Sequence, residues 1–171
     1  MPTPQELERK LPQELERKFW DALADDRTMM LGLHAADEGH TRPMTALLDN
    51  SRPGSMWFFT VKDNAMVGQL TEGHRAVATF TAKDHDLFAT IHGTLLVESD
   101  PRMIDRLWNS HVAAWYEGGR NDPNIVLLRL DPEQAEIWEN ASGLLAGLKM
   151  MLGSDPKQDY RDKVARVDLR H

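Results

Sequence analysis

Four short stretches hold most of the side chains able to recognise a ligand: Arg42-Pro43-Met44, Trp57-Phe58-Phe59-Thr60, residues 111–116 (HVAAWY) and residues 135–138 (AEIW). A guanidinium next to a proline belongs at the edge or rim of a sheet, where it can clamp a phosphate through two parallel hydrogen bonds. Trp115 and Trp138 offer flat apolar surfaces to a planar ring system. Each also has a plain structural reading; Trp115, for one, continues the apolar face of a helix and core packing would account for it. Other chemistries lack their residues. GxGxxG, GxxxxGK(S/T) and GxSxG are absent. The histidines, at 34, 40, 74, 85, 92, 111 and 171, form no HExxH and no close ligand pair on a helix. Asp84-His85-Asp86 falls in an apparent hairpin turn, where such residues simply suit solvent. With no cysteine there is no disulfide, thiolate zinc site, iron–sulfur ligand or cysteine nucleophile. No side chain declares itself a catalytic base or nucleophile.

The elements that must position these residues share one domain's worth of chain: 171 residues, 41% hydrophobic and 27% charged. A formal charge of −7 with no dense basic run argues against nucleic acid as a partner. No apolar run approaches the roughly 18 residues of a membrane helix. The opening MPTPQELERK lacks a basic region followed by an apolar one, so no secretory signal is expected and the expected compartment is the cytoplasm.

Residues 4–10 and 12–18 both read PQELERK, a duplication too short for a repeat architecture. Leu7, Leu11, Leu15, Phe19 and Leu23 recur every four residues as one stripe of a helix, expected to start firmly at Pro12 because an internal proline removes a hydrogen bond. Strands are expected over 28–34, 42–48, 56–61, 75–81 and 87–98, with Gly93 as a bulge or bend, and over 124–130 and 134–139, joined by a turn at Asp131-Pro132. Residues 65–70 read as one or two helical turns. Between the fifth and sixth strands, Ile104, Leu107, Trp108, Val112 and Trp115 mark one long helix, capped by Asp100-Pro101 and ended by Gly118-Gly119. A short helix is expected over 142–152 and a mobile charged tail over 153–171. Strands joined by short turns make an antiparallel, closed or nearly closed barrel: mainly β in an α+β chain, with the crossover helix and an N-terminal helix.

In order and spacing, four blocks resemble the general-stress-protein branch of the pyridoxamine 5′-phosphate oxidase-like, FMN-binding split-barrel family. They are RPM at 42–44, MWFFT at 56–60, LWNSHVAAWYEGGRNDP at 107–123 and LLRLDPEQAEIW at 127–138. The resemblance covers about residues 12–152, leaving 1–11 as an N-terminal extension. It implies an antiparallel split barrel that forms a homodimer, with FMN in two equivalent clefts at the subunit interface. On that resemblance Arg42, Pro43 and Met44 lie along the flavin, Arg42 as a phosphate or pyrimidine-edge contact. Phe58, Phe59 and Thr60 belong to the strand that lines the site, and Trp115 and Trp138 reach the isoalloxazine, from the same chain or the partner.

Two departures stand out. Family members usually place a phosphate-binding lysine just before the short helix; the corresponding residue here is Met66, and Lys62 is the nearby cation that could substitute. The C-terminal arginine and histidine pattern of true pyridoxamine-phosphate oxidases is also missing, which disfavours that reaction. The leading expectation is a flavoprotein with redox capacity on a small substrate; the alternative is a non-catalytic module holding FMN or another planar ligand, with a deazaflavin or haem as a weaker third.

Overall fold

The computed structural model describes residues 3–70, 72–140, 153 and 164–170. Helix α1 (Pro4–Asp25) is followed by strands β1 (Thr28–Leu33), β2 (Thr41–Thr45), β3 (Met56–Val61), β4 (His74–Thr81) and β5 (Leu87–Val97). Two short helices, α2 (Pro101–Leu107) and α3 (Ser110–Ala113), then lead into β6 (Ile125–Glu139) and β7 (Val164–Asp168). The seven strands form one antiparallel sheet in the order β2-β1-β4-β5-β6-β3, with β7 added to β6. An isolated bridge between Leu47 and Trp57 ties the end of β2's chain to β3, so the two outer strands of the six meet at one point.

Alternation places the core. Leu31, Ala78, Ile91, Leu128 and Ile137 face inward from successive strands and are fully or almost fully buried. Helix α1 packs on them through Leu15, Phe19 and Leu23, each wholly buried, with Phe19 edge-on to Phe80 at 5.9 Å. Burial of side chains of this size is the main favourable contribution to the fold, about 1.5–3 kcal/mol each. Lys18 Nζ donates to Glu139 Oε1 at 2.6 Å and fixes α1 against β6.

Four expectations are corrected. Helix α1 does not begin at Pro12 but runs through it from Pro4. The long crossover helix is broken at Trp108, because the Asn109 side chain accepts from Val112 N at 2.9 Å and starts a second helix; Gly118-Gly119 lies beyond both. The expected turn at Asp131-Pro132 is instead the middle of one 15-residue strand. There the register shifts between His92 and Gly93, and Glu133 becomes the extra residue of a bulge. Gly93 is what admits the close approach, since a Cβ on it would lie 2.3 Å from the Asp131 carbonyl oxygen. Finally, the stretch expected to be a mobile tail contains β7, and in β7 and the two residues after it Ala165, Val167 and Leu169 are buried and Arg166, Asp168 and Arg170 exposed. The helix expected over 142–152 lies outside the described residues.

Candidate functional site

The site follows from what β2 and β3 fail to do. At the bridge Leu47 and Trp57 exchange both backbone hydrogen bonds, at 2.8 and 2.9 Å. Among the described residues no ladder continues from there, and a cleft of about 440 Å3 opens between the two strands. The register fixes which backbone groups face it. Ala46 N donates to Arg27 O, so alternate residues of β2 (Met44 and Arg42) bond to β1, while Thr45 and Pro43 point their backbone groups away from it. Proline fits there because its missing N–H has no ladder partner to serve. On the other wall Lys62 N donates to Asn124 O, so Thr60 and Phe58 bond to β6 and Phe59 turns its N–H and C=O toward the gap.

Helix α3 and the turn after it close the cleft with Asn109, His111, Val112, Trp115 and Tyr116. Phe59 meets Trp108 edge-on at 5.7 Å and Tyr116 at 6.3 Å, forming an aromatic floor. Leu47, Trp57, Leu107, Val112 and Leu127 form a small core beneath it. Burial raises the Tyr116 phenol above its ordinary pKa, which keeps it a neutral hydrogen-bond donor. Trp115 is 85% exposed, an unusual position for the largest apolar side chain.

Two ionic clusters hold the α2–α3 segment in place. Arg106 grips Asp49 in the β2–β3 loop with paired bonds of 2.9 and 2.8 Å, and its hydrogen bonding holds the Asp49 carboxyl well below the usual carboxylate range. Glu98, just after β5, is buried and accepts from Trp57 Nε1 at 3.2 Å, Arg129 Nη1 at 3.0 Å and Asp100 N at 3.3 Å. Burial alone would raise its carboxyl, but the Arg129, Trp57 and Asp100 hydrogen bonds outweigh it and hold it below the ordinary glutamate value. Arg129 in turn reaches Asp131, which accepts from Ser55 Oγ at 2.9 Å.

Of the residues singled out in the sequence, the structure gathers Pro43, Met44, Phe59, Thr60 and Trp115 around this cleft. Arg42 lies opposite Leu31 and shares its inward face, outside the cleft lining. Phe58 is wholly buried in the main core, so its side chain has no route to a ligand. Lys62 is exposed past the end of β3 and does not line the cleft. Trp138 lines a second cavity, of about 460 Å3, built on β5–β7 with Thr90, His92, Gln134, Glu136 and Arg166. Met66, the position compared with a lysine, is wholly buried in the main core. His111, Val112 and Tyr116, from the singled-out stretch 111–116, also line it, while Arg27, Thr45, Leu47, Val61 and Asn109 do so without having been singled out as ligand contacts. For Thr45 the available signal was its spacing of two from Pro43, which puts both on the same side of an edge strand.

The donor set fits a planar ring with a hydrogen-bonding rim. Apolar walls come from Met44, Leu47, Phe59, Val112 and Trp115. Thr60 Oγ1 already accepts from Asn64 Nδ2 at 3.0 Å, leaving its hydroxyl proton to donate. Asn109 uses its Oδ1 as a helix cap, which leaves its amide protons for the cleft. The volume lies within the ordinary range for small-molecule sites, about 300–1,000 Å3.

Similarity to known proteins agrees with this geometry. The model of the family described as pyridoxamine 5′-phosphate oxidase like matches residues 14–160. The solved general stress FMN/FAD binding protein of Xanthomonas citri is 56% identical, with a TM-score of 0.73 over 79% of this chain and 95% of that one. A general stress family protein of Xanthomonas campestris pv. campestris is 55% identical, with a TM-score of 0.74 over 80% of this chain and 94% of that one. General stress protein 26 of Bacillus subtilis is 27% identical over 52 residues, 30% of this chain, so the match spans about a third (36%) of that relative's length. With four sequence blocks, the sheet and the family match all in agreement, the chain belongs to the pyridoxamine 5′-phosphate oxidase-like family.

Proposed function

We propose that this chain is an FMN-binding split-barrel flavoprotein that works as a homodimer and is redox-active on a small substrate. The observation that carries the reading is the gap between β2 and β3: backbone groups of Thr45 and Phe59 face an apolar, aromatic-floored cleft beside an 85%-exposed tryptophan. Such alternating donors and acceptors suit the polar edge of an isoalloxazine, and Trp115 supplies a surface for its ring. The 56%-identical relative from Xanthomonas citri is itself a general stress FMN/FAD binding protein. A bound flavin would supply hydride chemistry. The chain's part is to orient the ring between Pro43, Met44 and Phe59, to donate from Thr60, and to exclude water with α3.

Pairing of two copies is supported by the surface. Met30 is 37% exposed on the outward side of β1, and Trp115 is 85% exposed at the mouth of the cleft. Trp138 lines a cavity separate from this chain's own cleft, so the flavin contact that the resemblance implies for it would be made to a flavin held by a second copy. Light scattering at micromolar concentration is expected to give twice 19.5 kDa; a monomer mass removes the interface from the account.

The test of redox function is anaerobic addition of NADH or NADPH to the FMN-loaded protein, followed at the flavin band near about 450 nm. Bleaching, with recovery on adding an acceptor, is expected. Tight binding without bleaching by either nucleotide would instead make the protein a flavin-holding module.

A further inference from the structure

We propose that Arg27 is the anion-binding residue of the β2–β3 cleft, contacting the phosphate of a flavin nucleotide; this rests on the flavin reading above and supplies the charged contact that reading lacks. Arg27 sits where α1 hands over to β1, and its carbonyl accepts from Ala46 N at 2.7 Å, which anchors it beside Thr45. Its exposed side chain lines the cleft. Most described arginines are committed to carboxylates, as Arg106 is to Asp49 and Arg129 to Glu98. The Arg27 guanidinium makes no ion pair or hydrogen bond with any other described residue.

Its surroundings sharpen the point. The chain is acidic, with a formal charge of −7, yet no carboxylate is found among the described residues lining this cleft. Asp25 and Asp26 precede it in the chain, but no described carboxylate is ion-paired to its guanidinium, whose planar fork matches a phosphate oxygen pair. Among the lining residues Arg27 is the permanent cation, beside the imidazole of His111; Lys62 lies outside the lining, Arg42 faces inward opposite Leu31, and position 66 is a buried methionine. An anionic ligand entering this cleft therefore meets Arg27.

The experiment titrates FMN and riboflavin, which lacks the phosphate, into wild type, Arg27→Ala, Arg27→Gln and Arg27→Lys, reading flavin fluorescence and confirming folding by circular dichroism. Loss of one charge-assisted contact is expected to weaken FMN about tenfold or more in Arg27→Ala and Arg27→Gln, with riboflavin changed less than about twofold. Arg27→Lys is expected to recover part of the loss, since it keeps charge without the fork. Arg42→Ala is expected to show no phosphate-selective loss. If wild type binds FMN but Arg27→Ala binds it equally well, this proposal falls and the flavin reading stands. Equal losses of FMN and riboflavin, or a phosphate-selective loss in Arg42→Ala instead, likewise overturn it. Wild type binding neither flavin overturns both.

Discussion

Replacing Glu98 by alanine is expected to be among the most damaging single changes outside the main core. The carboxylate side chain is 6% exposed and joins three elements: Trp57 of β3, Arg129 of β6 and the start of α2 through Asp100 N. Alanine leaves the indole N–H of a wholly buried Trp57 without its acceptor, at about 1–3 kcal/mol. It also removes a charge-assisted bond to Arg129, worth about 1.5–3 kcal/mol. Arg129 keeps Asp131 at 3.0 Å, so its charge is not orphaned and the total stays near 3–5 kcal/mol. At about 2–4 °C per kcal/mol for a chain of this size, the melting temperature falls by roughly 6–20 °C. Glu98→Gln keeps one oxygen, which can still accept from Trp57 Nε1 and Arg129 Nη1 but turns an amide NH2 toward Asp100 N, so it loses the charge and the weaker 3.3 Å bond and is expected to cost less than alanine. The pH dependence has a definite sign. The folded carboxyl is held below its ordinary value of 4.5, so the ionic contribution is in place above that pH and is lost as pH falls through the folded value. The gap between wild type and Glu98→Gln should therefore be widest near neutrality and close under acid. Thermal melts of the three proteins at several pH values check this. A Glu98→Ala melt within about 2 °C of wild type at neutral pH would refute the reasoning.

Gly93→Ala is expected to destabilise by at least about 2 kcal/mol in urea unfolding, because the new methyl meets the Asp131 carbonyl and Pro132 Cα, backbone atoms that cannot swing aside. Met66→Lys is expected to lower stability by several kcal/mol and not to improve FMN binding, since position 66 lies in the core rather than the cleft; tighter FMN binding by a folded variant would contradict that placement. Pyridoxamine phosphate is not expected to be oxidised at an ordinary enzymatic rate, about 1 per second or more, in an aerobic assay.

Much of this fold was legible because period-two alternation and turn chemistry are local signals. The third strand, 56–61, has the bounds read from its aromatic and β-branched run, and Gly93 marks an irregularity in β5 as its position indicated. The misreadings share a cause: a local cue was overruled by a partner distant in sequence. Asp131-Pro132 reads as a turn until Gly93 across the ladder makes room for it. The apolar pattern from Ile104 to Trp115 runs unbroken past Asn109, whose cap bond decides the break. The alternation of Ala165 and Val167 in β7, continued by Leu169 after it, was present but masked by interleaved charges, and pairing beside β6 is what buries it. At the site, the residue types that line the cleft were visible on β2 and β3, but which of them face it was not. That depends on ladder parity, which turns the backbone groups of Thr45 toward the gap, and on position along β2, since Met44 reaches the lining and Arg42, at the same parity, does not.

Titrating FMN into wild type and Trp115→Ala while following tryptophan emission decides whether the opening between β2 and β3 holds a flavin against Trp115. Wild type is expected to saturate at one FMN per chain with strong quenching. Trp115→Ala is expected to lose most of that quenching and to bind FMN roughly tenfold more weakly, the loss of a stacked aromatic surface. Wild type that shows no saturable FMN binding, or a Trp115→Ala variant that matches it in affinity and quenching, would contradict the account.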